Sequence, residues 1–166
     1  PVRVMFEDEA RFGRLSDPRR CGAPAGGRPE VNTQVVREYE SALAAVRPHN
    51  GRLDTLGLPA ANTEARSGFW AEVSQRHAHE FVLMVRDGAG WHRAKRLQVP
   101  ANLKRIPLPA WSPPLNPVEH LWDKGREKWF RNRVFGSMAA LEDQLVMALT
   151  SWENDPRRVA ALAGFD

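Results

Sequence analysis

Phe81-Val82-Leu83-Met84-Val85-Arg86-Asp87-Gly88 is the stretch whose reading decides the fold. A continuous apolar run bounded by polar residues is the pattern of a central strand covered on both faces. Asp87 stands just past its carboxyl end, and Asp87-Gly88 is also an ordinary turn signal. Upstream, Asn62 or Thr63 caps a helix predicted to run to about Arg76, with Phe69, Val73 and Trp70 on its buried side. Farther upstream, Pro48-His49-Asn50-Gly51 is a turn between strand-like material in 31–46 and a second run, Arg52 to Leu58, which predicts an antiparallel hairpin. At the amino end Val2, Val4 and Phe6 alternate with Arg3 and Met5, a strand that delivers Glu7-Asp8-Glu9 at its far end. Arg11 to Glu30 is rich in Gly, Pro and Arg and lacks periodicity, so a long surface loop is predicted there.

Downstream of Asp87, Gly88-Ala89-Gly90 leads into a short helical segment near Trp91 to Leu97, and Leu103 to Leu108 reads as another strand. After the proline-rich stretch Pro107 to Pro117 a helix begins sharply: Asn116 is its N-cap, Pro117 suits its first position, and Glu119 falls in its first turn. It is predicted to run to about Arg131. Ser137 caps a last helix carrying Leu141, Leu145, Ala148 and Leu149 at helical spacing, ended by Asn154-Asp155-Pro156. Strands alternating with helices in this order predict an α/β domain, a mixed sheet flanked by helices.

The 166 residues suffice for one core of this type. With 42% hydrophobic and 27% charged residues the composition is that of a globular domain, and no apolar run reaches the ~18 residues of a membrane-spanning helix. Pro1 leads straight into the first strand, without the features of a signal peptide, so a cytoplasmic protein or an internal fragment is expected. Cys21 is the only cysteine, which excludes an intrachain disulfide and a cysteine-based zinc site. The formal charge of +4 favours a polyanionic partner.

Asp8, Asp87 and Glu119 are the candidate chemical residues. If the two strands are parallel neighbours, Asp8 and Asp87 lie side by side at the carboxyl edge, where open α/β sheets place their crevices. Three converging carboxylates repel one another unless cations sit between them, and hard oxygen ligands select magnesium or manganese over zinc. Two such ions can activate a water or a sugar hydroxyl and stabilise the leaving oxygen of an in-line phosphoryl displacement. Each acid also has a plainer reading: a solvated strand end for Asp8, a turn or cap for Asp87, and a capping box for Glu119. Spacing alone does not choose between these.

The wording around each acid does. Phe6-Glu7-Asp8-Glu9-Ala10-Arg11-Phe12-Gly13, Val85-Arg86-Asp87-Gly88-Ala89-Gly90-Trp91-His92 and Leu108-Pro109-Ala110-Trp111-Ser112-Pro113-Pro114-Leu115-Asn116-Pro117-Val118-Glu119-His120-Leu121-Trp122 follow one another in order. In these blocks the chain resembles the mariner superfamily of DDE/D transposases, most closely its bacterial insertion-sequence branch. The resemblance spans about Val4 to Phe135. It implies a ribonuclease-H-like fold with a mixed five-stranded sheet. It also implies that Asp8, Asp87 and Glu119 are the first, second and third catalytic and metal-holding carboxylates, with two magnesium or manganese ions. Two departures are Gly88, where many relatives have Asn, and Trp111, where Tyr is usual. The Asp87 to Glu119 interval is also shorter than is typical, read as a shortened loop around Pro100-Ala101-Asn102.

His92 matches the family's histidine in the second block, which places it near the metal site or the scissile phosphate, while a structural role fits equally. His77 and His79 form a His-Ala-His run without a third ligand and are read as an exposed helix end. Arg11, Arg93, Lys95, Lys124, Arg126, Lys128 and Arg131 are candidate DNA contacts, interleaved with Trp129 and Phe130. Trp70, Trp122 and Trp152 are read as core. The implied function is hydrolysis of a phosphodiester at transposon ends followed by strand transfer into target DNA. DNA is the expected partner and a homodimer is plausible, because two ends must meet; no membrane role follows. The rival readings are a nuclease of the same fold without strand transfer, and an inactive DNA-binding remnant. Members of this family carry an amino-terminal region that reads the transposon ends. This chain starts at the first catalytic strand, so it is expected to be a fragment or to act with a separately encoded region.

Overall fold

The computed structural model describes residues 1–16, 18, 22–87, 96–109 and 115–164. Among these residues five strands and four α-helices follow in the order β1 (Val2–Leu15), β2 (Val35–Arg47), β3 (Arg52–Leu58), α1 (Thr63–Arg76), β4 (Phe81–Arg86), β5 (Leu103–Pro107), α2 (Pro117–Gly125), α3 (Met138–Glu153) and α4 (Pro156–Ala163). A π-helical turn, Arg126–Phe130, continues directly from α2. The strands form one sheet in the order β3-β2-β1-β4-β5. β1 and β2 pair antiparallel, as do β2 and β3, whereas β1 and β4, and β4 and β5, are parallel. This is the mixed five-stranded, ribonuclease-H-like sheet that the sequence predicts. Among the described residues no helix is long and apolar enough to cross a membrane.

Alternation along β1 sorts its side chains into two cores. Met5 joins Leu43, Trp70, Val82 and Met84 on the face covered by α1, while Ala10 and Phe12 join Leu121, Trp122, Leu145 and Trp152 under α2, α3 and α4. Trp70, Trp122 and Trp152 are all buried, as expected. Asn62 is the N-cap of α1, accepting from the Ala65 amide, and Ser137 caps α3 through the Ala140 amide.

Three boundaries and one added helix differ from the sequence reading. β1 does not stop at the acidic triplet. It runs to Leu15 because Phe12 continues the buried alternation, and Arg11 to Gly13 pair with Ser41 to Tyr39. The predicted loop therefore starts later than Arg11, and β2 begins at Val35 rather than near Val31. Asp155 and Pro156 end α3 but also start α4, with the Asp155 side chain accepting from the Arg158 amide. α4 is a helix that the sequence reading missed. It lies against the β2–β3 turn so closely that a Cβ on Gly51, at φ +67°, would sit 1.7 Å from the Pro156 carbonyl oxygen. The chain around Pro100 is a tight turn, closed by Leu103 N–H to Pro100 O at 3.0 Å. Asn102 pins it to the end of α1 by donating to the carbonyls of Ser74, His77 and Glu80. Of the helical segment predicted near Trp91 to Leu97, only Arg96 and Leu97 are among the described residues.

Candidate active site

Parallel pairing of β1 with β4 ends at Phe6 opposite Val85, and two further residues in the same register bring Asp8 beside Asp87. Asp8 is thus internal to β1 as paired with β2, yet lies just beyond the part paired with β4. The third carboxylate is set by Asn116, which is fully buried. Its side-chain oxygen accepts from the Val118 amide at 3.2 Å, capping α2, and its amide donates to the Glu7 carbonyl at 3.1 Å. One side chain therefore starts the helix and ties it to the strand one residue from Asp8. Pro117 has no amide to satisfy at that position, so the turn closes around Asn116 without loss.

Asp8, Asp87 and Glu119 each offer a carboxylate oxygen, and these oxygens lie within 4.8 Å of one another. Among the described residues this is the one cluster of three or more His, Cys, Asp or Glu side chains that could hold a metal ion. Two unit charges at that separation repel by about 3 kcal/mol at an effective dielectric near 20. The Asp8 carboxyl is accordingly raised from 3.8 to about 7, by burial first and then by the Glu119 charge, with a smaller push from Asp87. Working against that shift, Asp8 accepts from the Glu9 backbone and from the Trp122 indole N–H at 3.0 Å to Oδ2. Trp122 lies one turn along α2 from Glu119 and so shares its face. Its role as an Asp8 donor was missed by the sequence reading, although that spacing carried the signal.

A second set of charges underlies the first. Glu7, 1% exposed, faces the α1 side of the sheet and meets Arg66 Nε at 3.0 Å and Arg86 Nε at 3.7 Å, while Arg66 also holds Glu9 at 3.0 Å. Burial lowers the Arg86 pKa, opposed by Glu7, and its guanidinium lies 5.9 Å from the centre of the Trp70 ring. Glu7 and Arg86 adjoin Asp8 and Asp87 in sequence, so this ion cluster fastens the same two strand ends from beneath. Glu9 is a partner of Arg66 and stands outside the carboxylate cluster.

The basic candidates divide. Arg11, Arg126 and Arg131 line one cavity, together with Arg133 and Tyr39. Lys124 is engaged by Glu127 at 3.0 Å, and Lys128 lies 4.3 Å from the centre of the Trp129 ring. His92, Arg93 and Lys95 lie outside the described residues. His77 is not an exposed helix end: its Nε2 is 2.8 Å from Asp54 Oδ2 and its Nδ1 is 3.7 Å from Glu80. Those contacts hold the end of α1 against β3.

Solved structures of the Mos1 mariner transposase share this fold. Its paired end complex with Mn superposes with a TM-score of 0.62 at 14% identity, covering 97% of this chain and 53% of that one. The Mos1 strand transfer complex gives a TM-score of 0.57 at 13% identity, with 99% and 55% covered. The chain thus spans about half the length of the solved chains it matches. The Sinorhizobium fredii (strain NBRC 101917 / NGR234) protein y4pE/y4sA is 40% identical over 96 residues, 56% of this chain and 70% of that protein. The family model described as DDE superfamily endonuclease matches residues 3–142. That match takes in the five described strands, β1 from Arg3 onward, and all three clustered carboxylates, and this chain belongs to the DDE superfamily endonucleases.

Proposed function

We propose that this chain is the catalytic unit of a DNA transposase, with Asp8, Asp87 and Glu119 as its catalytic carboxylates and as the ligands of two magnesium or manganese ions. The observation that carries the reading is the meeting of three sequence-distant carboxylates within 4.8 Å in a DDE endonuclease. The donor set fits the ions: hard oxygens in a half-buried crevice, with Asp8 kept partly protonated near neutral pH until a cation offsets its neighbours. When bound, such ions polarise the phosphodiester and stabilise both the entering and the leaving oxygen of an in-line displacement.

The protein's own groups have distinct duties in this reading. The three carboxylates would hold the cations at which the phosphate is received. Trp122 holds the Asp8 carboxylate in one orientation, and Asn116 sets Glu119 against β1. The arginines past Asp8 and Glu119 draw the phosphate backbone across the site. Cleavage exchanges the phosphodiester's 3′-oxygen bond for one to water oxygen, freeing a 3′-hydroxyl. Strand transfer repeats the displacement: that hydroxyl attacks a target phosphodiester, its oxygen replaces the target's 3′-oxygen on phosphorus, and a target 3′-hydroxyl is released. Bringing two transposon ends together calls for a homodimer on DNA. The Mos1 complexes with Mn and with Mg, and its paired-end and strand transfer complexes, support this reading by likeness of fold.

Calorimetric titration of manganese into the wild-type chain and into Asp87→Asn tests the site without DNA. Saturable binding of two ions in the wild type, lost in Asp87→Asn, is the expected result. Equal behaviour of the two proteins would overturn the assignment of these carboxylates as ligands. Incubating the manganese-loaded chain with transposon-end DNA and a plasmid target then separates transposase from nuclease, since a plain nuclease cuts without joining.

A further inference from the structure

A cavity of about 200 Å³ opens beyond the carboxylates, between the far half of β1 and the helical run that follows α2. Arg11, Arg126, Arg131 and Arg133 line it, along with the rings of Tyr39 and Phe130, and no carboxylate is among its described lining residues. Arg126 is seven residues from Glu119, two helical turns and roughly 10 Å along the same face. Phe12, at the cavity's floor, shares a β1 face with Asp8 and lies four residues, roughly 13 Å, beyond it. Tyr39, paired with Gly13, stands on the other face of β1, so the cavity wraps the β1 edge beyond its pairing with β4 and lies a few nucleotides from a phosphate held at the carboxylates.

Its walls are built. Tyr39 pairs directly with Gly13, and a Cβ on Gly13 would stand 2.7 Å from the tyrosine ring, so the bare glycine backbone seats that ring. Phe130 packs on Phe12 with ring centres 4.5 Å apart, and the Arg126 guanidinium lies 5.5 Å from the Phe12 ring centre. Arg14 anchors the outer rim, donating to the carbonyls of Phe135 and Gly136, both at 2.9 Å. Gln34 exchanges two further hydrogen bonds with the Phe135 backbone. Arg133 is oriented by Gln144 at 2.6 Å, and Tyr39 remains 41% exposed. Guanidinium forks receive phosphate, and an exposed, seated ring offers a face to a base. The volume is below the ~300–1,000 Å³ of a drug-sized pocket, which suits one base rather than a base pair.

We infer that this cavity is a subsite for one unpaired nucleotide of the DNA strand, stacked on Tyr39 with its phosphates on the arginines. The inference rests on the proposed DNA-processing role for the identity of the strand, but not on the metal site. Its test is fluorescence anisotropy of a labelled oligothymidylate and of a blunt duplex, measured with the full chain in EDTA so that the carboxylates hold no cation.

Tyr39→Ala is expected to weaken single-strand binding roughly tenfold or more, as loss of one stacked base does, with Tyr39→Phe close to wild type and duplex binding little changed. Arg131→Gln is expected to weaken both ligands and to flatten the salt dependence of oligothymidylate binding by about 0.7 in the log–log slope. Thymidine monophosphate is expected not to displace the strand at comparable concentration; equal competition would make the ligand a free nucleotide and overturn the strand assignment. Unchanged single-strand binding in Tyr39→Ala, or an equal loss on the duplex, would overturn the subsite. Thermal melting checks that the variants are folded, and manganese titration of Tyr39→Ala keeps the two readings apart: failure of the subsite leaves manganese binding intact, and failure of the carboxylate site leaves the stacking result intact.

Discussion

Asp8 is a buried acid with acidic neighbours, and its ionisation works against folding. In the unfolded chain it loses its proton near 3.8, in the folded chain near 7. Below about pH 4 both states hold the proton and the group is at its least costly. As pH rises to about 7 the unfolded chain gains from early ionisation, and above that the folded chain carries the charge at full cost. Without metal, Asp8→Asn is therefore expected to stabilise the protein at pH 8 by on the order of a few kcal/mol, a gain that fades toward pH 4. Urea unfolding curves across that range, run in a chelator, measure it; a gain that grows toward low pH would contradict the burial and repulsion assigned to Asp8. A stabilising substitution at a residue proposed to be essential is the expected mark of a site that sets ligand geometry above stability.

At the scale of elements, the start of α2 carries the most consequence per residue. Asn116→Ala removes a buried cap and leaves the Glu7 carbonyl without its donor, so it is expected to cost about 2–4 kcal/mol, read as a lower urea midpoint at unchanged slope. A loss below about 0.5 kcal/mol would mean that the tie between helix and strand contributes little. This cap was legible in the sequence, because Asn followed by Pro before an amphipathic run has a local meaning. The central strand and the α1 cap were legible for the same reason. What could not be read were features decided at a distance. β1 runs on to Leu15 only because β2 lies there to pair with it. α4 starts at a local signal, Asp155-Pro156, that was read only as the end of α3, and it packs where Gly51 leaves room for Pro156. The helical stretch widens at Arg126–Phe130 next to Gly125, where a Cβ would come within 2.4 Å of the Trp152 ring. Trp122 was read as core, and it is core, but its N–H has a second use that only the position of Asp8 reveals. That Asp8, Asp87 and Glu119 belong together was legible from the wording around them; the cavity beside them was not, since Tyr39, Gly13 and Arg133 come from segments that no local pattern joins.

At the scale of the whole molecule, the sheet carries acids on one face and a compensated ion cluster on the other. Glu7 is the hinge between α1, β1 and β4. Glu7→Gln keeps its shape but leaves Arg66 with Glu9 alone and Arg86 without its nearest carboxylate. It is expected to destabilise the chain by about 3 kcal/mol, although Glu7 lies outside the carboxylate cluster, and thermal melting in chelator checks this. A melt unchanged from wild type would show the cluster to be dispensable. The parallel pairing of β1 with β4 bears on how the molecule comes into being. The two hairpins join neighbours in sequence and can form early, whereas Phe6 must wait for Val85, and the Glu7 carbonyl for Asn116. Contacts of such separation close late, after the entropy of a long intervening chain has been overcome. During synthesis the first carboxylate leaves the ribosome long before its companions exist. A cation bound as proposed would therefore have nothing to nucleate on: it would lock a finished fold by mass action and not guide its assembly.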